Sequence, residues 1–157
     1  MTSRATAVAG AVLAVALAGC ASEPEQRELI PMHVGTGEVL HGLDDMVARA
    51  PALESSEAVA YSGGTLGVAD PGRLAIGPSD YWVHAVVDYA PGDVAAMGAD
   101  AAAADLPELV PSIAALAPEC AYVRDDAVDA VFMQGGWLAA AYLCVETDQI
   151  VLVMSGQ

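Results

Sequence analysis

The chain has 157 residues and a formal net charge of −16 at pH 7, with 21 acidic side chains against 5 basic ones. This length suits one domain with a substantial core. The acidic balance argues against nucleic acid as a partner, because neutralising phosphates takes Lys and Arg on one face. It also argues against docking of the protein body on an anionic lipid surface. A solvated acidic surface accounts for the charge, with a cationic or metal partner as the alternative.

The first twenty residues have the layout of an export signal. A short end that carries Arg4 precedes the uncharged residues 5–17, which are mostly Ala, Val, Leu and Gly. Export signals have apolar cores of roughly 7–15 residues, whereas a membrane-spanning helix needs about 20. The stretch closes on the sequence Leu17-Ala18-Gly19-Cys20. The pattern therefore indicates a protein that leaves the cytoplasm.

The sequence from Leu17 to Cys20 resembles the lipobox of bacterial lipoproteins. The resemblance implies cleavage before Cys20 and a diacylglyceryl group on its sulfur, and two acyl chains suffice for stable attachment. It also implies a place on the extracytoplasmic face of the bacterial cell envelope, with the lipid bilayer as a partner. A cut nearby, with Cys20 as an incidental thiol, is the alternative. The resemblance covers these twenty residues only.

The predicted cut divides the chain into three parts. Residues 1–19 form the signal peptide, and 138 residues with a net charge of −17 follow it, since Arg4 is removed. Residues 20–29 are the lipidated cysteine and a polar tether that contains Pro24. Residues 30–157 are predicted to form a single globular domain.

The two remaining cysteines are predicted to form a disulfide. With Cys20 committed to lipid, Cys120 and Cys144 are an even pair in a compartment where disulfides form and persist. Neither belongs to a CxxC motif or lies near a histidine at ligand spacing, so a zinc site is disfavoured. No cofactor and no metal site are predicted.

The first half of the domain shows a helical pattern and then a strand pattern. Apolar residues recur at helical spacing over 36–50, and Pro51 ends that pattern. A short strand is predicted over 57–62, followed by a long loop rich in Gly and Pro with a short strand around 73–76. Residues 81–89 alternate as a strand with one face in a core.

The second half predicts helices and then a meander. The further elements are helices over 93–104 and 106–117 and strands over 127–134, 137–146 and 150–154. Pro111 must kink or split the second of these helices, and Gly135-Gly136 suits a hairpin turn. The order favours an α+β fold with a mainly antiparallel sheet of about five strands, helices packed against it and a C-terminal three-strand meander.

Trp82 and His84 are the candidate binding residues. Both project from the less apolar face of the strand over 81–89, and aromatic side chains in such a place commonly line a binding surface. The alternative is that helices cover this face and that both residues belong to the core.

No catalytic residue is predicted. The chain lacks a GxSxG motif, and Ser79 and Asp80 stand too far from His84 along a strand, about 13 Å from Asp80, for direct contact. The acidic run Asp125-Asp126-x-x-Asp129 lacks the glycine and terminal glutamate of a calcium loop, so it is predicted to be a solvated turn.

Two functions are compatible with this inventory. The first is a non-catalytic, lipid-anchored envelope module that binds an envelope protein or a small-molecule ligand. The alternative is a small cell-surface hydrolase. A cleft with two or more convergent titratable side chains would favour the hydrolase. The scarcity of catalytic side chains favours the binding module.

Overall fold

The computed structural model describes residues 32–67 and 80–157. The predicted signal peptide, Cys20, the predicted tether and the strand predicted around 73–76 lie outside the described residues. The described ranges contain seven strands, four short α-helices and one 3₁₀ helix. In these ranges no helix combines the length and the apolarity that crossing a membrane requires.

The elements follow one another in a mixed order. They are β1 Met32–Val34, α1 Leu43–Val47, the 3₁₀ helix Pro51–Ser55, β2 Ala58–Gly67, β3 Asp80–Asp88, α2 Asp93–Met97, β4 Ala102–Ala103, α3 Pro111–Ala114, β5 Val123–Arg124, α4 Asp126–Phe132, β6 Trp137–Cys144 and β7 Gln149–Gly156.

The strands form one antiparallel sheet in the order β1-β2-β3-β7-β6-β5-β4. The predicted α+β class with a mainly antiparallel sheet is confirmed, but the prediction of about five strands is wrong, since the sheet has seven. The strands β1, β4 and β5 have only two or three residues each. Segments this short show no period-two alternation, so only their pairing with longer neighbours defines them as strands.

Each face of the sheet has its own apolar cluster. The odd-numbered residues 83–87 of β3 point to the larger cluster, on what we call the major face, and Val86 points to the smaller one, on the minor face. The major face is covered by fully buried side chains of the helical segments, among them Met46, Leu53 and Phe132. On the minor face, Ile113 of α3 and Val151 of β7 are fully buried. Burying each such side chain contributes roughly 1.5–3 kcal/mol.

The helix predicted over 36–50 is much shorter in the structure. Only α1 is helical, because Leu40 pairs with Tyr61 of β2 through two backbone hydrogen bonds of 2.8 and 2.9 Å. That pairing holds the chain extended up to Gly42, the N-cap of α1. Tertiary pairing therefore overrides the helical periodicity of this segment.

The helices predicted over 93–104 and 106–117 are also reduced to single turns. The first, α2, ends at its C-cap residue Gly98. In the second, Pro111 does not kink a helix but begins α3. The first helical position suits proline, since its missing N–H would have no partner there.

The strand predicted over 127–134 is wrong, because this segment forms α4. The Asp125 side chain caps the helix by accepting a 2.7 Å hydrogen bond from the N–H of Ala127. Val128 and Phe132, four residues apart, turn into the major-face core. The predicted C-terminal meander is thus interrupted, with α4 inserted between β5 and β6.

The disulfide between Cys120 and Cys144 is present, with 6.0 Å between the two Cα atoms. It joins the segment after α3 to the end of β6, as predicted. Cys144 is fully buried, and the hydroxyl of Thr147 donates a 3.1 Å hydrogen bond to its sulfur.

Candidate functional site

A cluster of three aromatic rings lies on the minor face where β1, β2 and β3 run side by side. The ring centroid of His33 lies 5.0 Å from that of Trp82 and 4.9 Å from that of His84. The centroids of Trp82 and His84 are 5.2 Å apart. All three pairs meet edge to face, which is a favoured arrangement of aromatic rings. We call this group the aromatic cluster.

Trp82 contacts the last residue of β1 and the glycine that follows it. Its indole N–H donates a 3.3 Å hydrogen bond to the carbonyl oxygen of Val34. The ring packs so closely on Gly35 that a Cβ atom there would lie 3.0 Å from the indole and 2.9 Å from the carbonyl oxygen of Gly63. Gly35 therefore allows the turn after β1 to cover the indole.

The hydrogen bonding of His84 defines its tautomer. The backbone N–H of Val110 donates a 3.1 Å hydrogen bond to its Nδ1 atom. A backbone N–H can only donate, so Nδ1 is the acceptor and the proton of the neutral ring sits on Nε2. Burial, and second the neighbouring His33, lower the pKa of His84 from 6.5 to about 4. The ring is therefore neutral at physiological pH.

Two serine hydroxyls near the cluster have no hydrogen-bond partner among the described residues. Ser62 pairs with His84 across the sheet, so the two side chains share a face, and its hydroxyl is buried. Ser112 of α3 likewise has a buried, unpartnered hydroxyl. A buried polar group without a partner costs stability, so both are candidates for contact with a ligand or a bound water.

A cleft of about 360 Å³ opens beside the aromatic cluster. Its walls come from β1 with the turn after it, and from the start of α3. The lining residues include His33, Gly35, Thr36, Trp82, Val110 and Ser112. The volume falls within the range of small-molecule sites, which is roughly 300–1,000 Å³.

The structure brings the predicted residues Trp82 and His84 together, but each is only 2 % exposed. A ligand in the cleft would meet the edge of Trp82 and the exposed ring of His33. That these residues form a binding surface stays a prediction. Sequence analysis missed His33, because nothing in the local pattern shows that a segment 49 residues before Trp82 pairs beside it.

The other residues weighed as sites have different roles or lie elsewhere. Ser79 lies outside the described residues, and Asp80 is exposed. In the acidic run, Asp125 caps α4. Asp129 is not solvated as predicted but is 1 % exposed. It accepts hydrogen bonds from Arg124 and from the N–H of Ala141.

One group of possible metal ligands occurs in the described ranges. The ligand atoms of Cys120, Cys144 and Glu146 lie within 4.8 Å of one another. The two sulfurs are joined in the disulfide, and metals bind the thiolate form of cysteine. The group is therefore part of the disulfide's surroundings.

Stability is expected to fall as the pH drops from about 6.5 towards about 4 because of His84. In this window the unfolded chain binds a proton at His84 that the folded chain does not, so protonation favours unfolding. Above pH 6.5 both states are neutral and the effect vanishes. Urea unfolding at about pH 7.5 and about pH 5.5 measures the change. His84→Gln, which keeps an acceptor for Val110, should show a smaller loss, and an equal loss would contradict the assignment.

No protein family model, curated protein or solved structure matches the chain. Its function is therefore inferred from the geometry of the site.

Proposed function

We propose that this protein is a cell-envelope lipoprotein, anchored through Cys20 on the extracytoplasmic face of the membrane, and that its domain is a non-catalytic binding module. The sequence Leu17-Ala18-Gly19-Cys20 supports the anchor. The disulfide between Cys120 and Cys144 supports export, since such bonds persist in oxidising compartments and are rare in the cytosol.

The observation that carries the binding hypothesis is the hydrogen bond from Val110 to His84. A histidine that activates a serine directs its Nε2 lone pair at the hydroxyl and donates its Nδ1–H to an acid. His84 has the opposite arrangement, because its Nδ1 accepts a hydrogen bond from the backbone N–H of Val110, and a backbone N–H can only donate. Ser62 pairs with His84 across the sheet, and the His84 ring can donate the proton of Nε2 but has no free nitrogen to accept one.

The cleft beside the aromatic cluster is the proposed binding site. His33 presents an exposed ring on which a flat or apolar group could stack, and the hydroxyls of Thr36 and Ser112 are nearby polar groups. A few polar groups on an aromatic wall are typical of small-molecule sites. The size of the cleft favours a small molecule, or one side chain of a partner protein, as the occupant.

Lipidation of Cys20 is the first expected result. Mass spectrometry of the membrane fraction should find Cys20 as the N-terminal residue with a diacylglyceryl group on its sulfur. Cys20→Ser should release the protein from the membrane, because the sulfur that carries both acyl chains is lost. An unmodified Cys20 within a longer peptide would refute the anchor.

Photo-crosslinking in intact envelopes tests the binding site. A photoreactive residue in place of Thr36, at the rim of the cleft, should give one discrete adduct, and His33→Ala should reduce its yield. His41→Ala is the matched control, because His41 is also exposed but is not part of the cleft. An adduct that His33→Ala leaves unchanged would contradict the site. Turnover of ester or amide substrates that is lost in Ser62→Ala would instead support the hydrolase.

A further inference from the structure

The two ends of the sheet differ in chemistry. At one end, which we call the entry end, β2 finishes at Gly67, β3 begins at Asp80, β6 begins at Trp137 and β7 finishes at Gly156. At the other end, which we call the acidic end, β2 begins, β3 finishes and a turn joins β6 to β7. The strand pairings place these termini side by side at each end.

Large apolar side chains are exposed at the entry end. Leu138 is 65 % exposed, Tyr81 is 46 % exposed, and Met133, just before β6, is 42 % exposed. The half-buried Trp137 lies flat against Gly156, where a Cβ atom would come within 2.9 Å of the indole ring. Tryptophan and tyrosine are the residues enriched at membrane–water interfaces.

Five acidic side chains stand at the strand ends and turns of the acidic end, namely Glu57, Asp88, Asp93, Glu146 and Asp148. The entry end has Asp80, and Arg49 lies in a cleft of about 470 Å³ that Tyr81 and Trp137 also line. Among the described residues the only ion pair is that of Arg124 with Asp129. The guanidinium of Arg49 donates a 2.6 Å hydrogen bond to the carbonyl oxygen of Asp45 and is paired with no described carboxylate.

The distance between the two ends of the sheet determines whether carboxylates at the acidic end would repel anionic lipid at the entry end. From Asp80 to Asp88, β3 spans about 27 Å at the usual rise of a strand. Charge interactions are screened over about 10 Å at 0.1 M salt. Carboxylates at the acidic end would thus have little effect on a bilayer that touches the entry end.

The chain also reaches the sheet at the entry end. Met32, the first residue of β1, pairs with Gly67, the last residue of β2. Cys20 precedes Met32 by twelve residues in the sequence, a length that spans at most about 40 Å. A lipid on Cys20 would therefore be joined to the domain at the entry end, and the tether is long enough for this end to lie on the membrane.

We propose that the entry end is a membrane-contacting surface that lies against the bilayer in which Cys20 is anchored. Trp137, Tyr81 and Leu138 insert at the level of the lipid headgroups, and the guanidinium of Arg49 meets lipid phosphates. The acidic end then points away from the membrane. This inference rests on the proposed lipidation of Cys20.

Quenching of tryptophan fluorescence tests the contact. The purified lipidated protein is placed on phosphatidylcholine vesicles whose acyl chains carry bromine close to the headgroup. The chain has two tryptophans, and Trp82 is buried, so quenching should come from Trp137 and disappear in Trp137→Phe. Leu138→Glu should abolish it, whereas Val145→Glu, an exposed apolar position at the acidic end, should leave it unchanged. Added phosphatidylglycerol should not prevent the contact.

The outcomes separate this inference from the proposed function. Protein that floats with the vesicles but shows no quenching overturns the membrane-contacting surface and leaves the lipid anchor intact. Protein that does not float refutes the anchor and, with it, the inference. If quenching is absent and crosslinking joins two copies through Leu138, the entry end is a dimer interface and the proposal is overturned.

Discussion

Replacing Asp129 by alanine is expected to lower the free energy of unfolding by about 2–3 kcal/mol, because it leaves the buried N–H of Ala141 without an acceptor and removes the charged partner of Arg124. The Asp129 carboxylate accepts a 2.8 Å hydrogen bond from Nε of Arg124 and a 2.7 Å hydrogen bond from the N–H of Ala141. The N–H of Ala141 in β6 points away from β7. The two-residue strand β5 on that side pairs only with Leu143 and does not reach Ala141. Asp129 thus takes the place of a missing neighbouring strand.

Two variants separate the contributions to this effect. Asp129→Asn keeps an oxygen acceptor for Ala141 but loses the charge opposite Arg124, so we expect a smaller loss than with alanine. Asp126→Ala removes an exposed carboxylate of the same helix and should change stability by less than about 0.5 kcal/mol. Urea unfolding of the three variants measures the differences. Equal stability of Asp129→Ala and the wild type would show that the buried carboxylate is not needed.

Removing the disulfide is expected to cost about 3 kcal/mol of stability in the double variant Cys120→Ala/Cys144→Ala. The bond closes a loop between residues 24 apart in sequence and so reduces the freedom of the unfolded chain. The loop contains β5 and α4, which place Arg124 and Asp129 against β6. Loss of the bond should therefore loosen the edge of the sheet beyond β6 more than β2, β3 and β7.

Denaturation of the double variant, with its membrane attachment measured in parallel, checks this expectation. Stability should fall while attachment through Cys20 is retained, which separates the two roles of cysteine in the chain. Hydrogen exchange should show the largest loss of protection in β5 and α4. Two reactive thiols in the unreduced, denatured mature protein would show that Cys120 and Cys144 are not bonded in the cell.

Much of the sheet could be predicted from the sequence because its long strands carry a local signal. The alternation over 81–89 located β3, and the apolar run from Trp137 located β6. The hairpin turn predicted at Gly135-Gly136 is wrong, because a helix and not a strand precedes it. The pairing of Cys120 with Cys144 followed from counting cysteines and from the compartment that the lipobox-like sequence implies. The strands were predicted from residues close together in sequence, and the disulfide was predicted because Cys20 was assigned to lipid, which left two cysteines.

The helices could not be predicted reliably, because their patterns compete with contacts that are distant in sequence. Residues 36–42 have helical spacing, but Leu40 pairs with Tyr61 and so keeps the segment extended. Residues 127–134 have the composition of a strand, but Asp125 caps a helix there and Asp129 turns inward to Ala141. The two hydrogen bonds between Leu40 and Tyr61 in the first case, and the buried carboxylate of Asp129 in the second, outweigh propensities worth only a few tenths of a kcal/mol per residue.

By itself the sequence determined the pairing of Cys120 with Cys144, and it supplied the predictions of an export signal, of lipid attachment at Cys20 and of the two binding candidates Trp82 and His84. Only the tertiary structure decided what surrounds those candidates. The register of β1 against β2 brings His33 to Trp82 and His84, and the start of α3 supplies the N–H that defines the tautomer of His84. The physical reason is that the periodicity of side chains predicts only which face of the sheet a residue occupies. The residues next to it on that face depend on the strand register, which cannot be predicted from a local pattern.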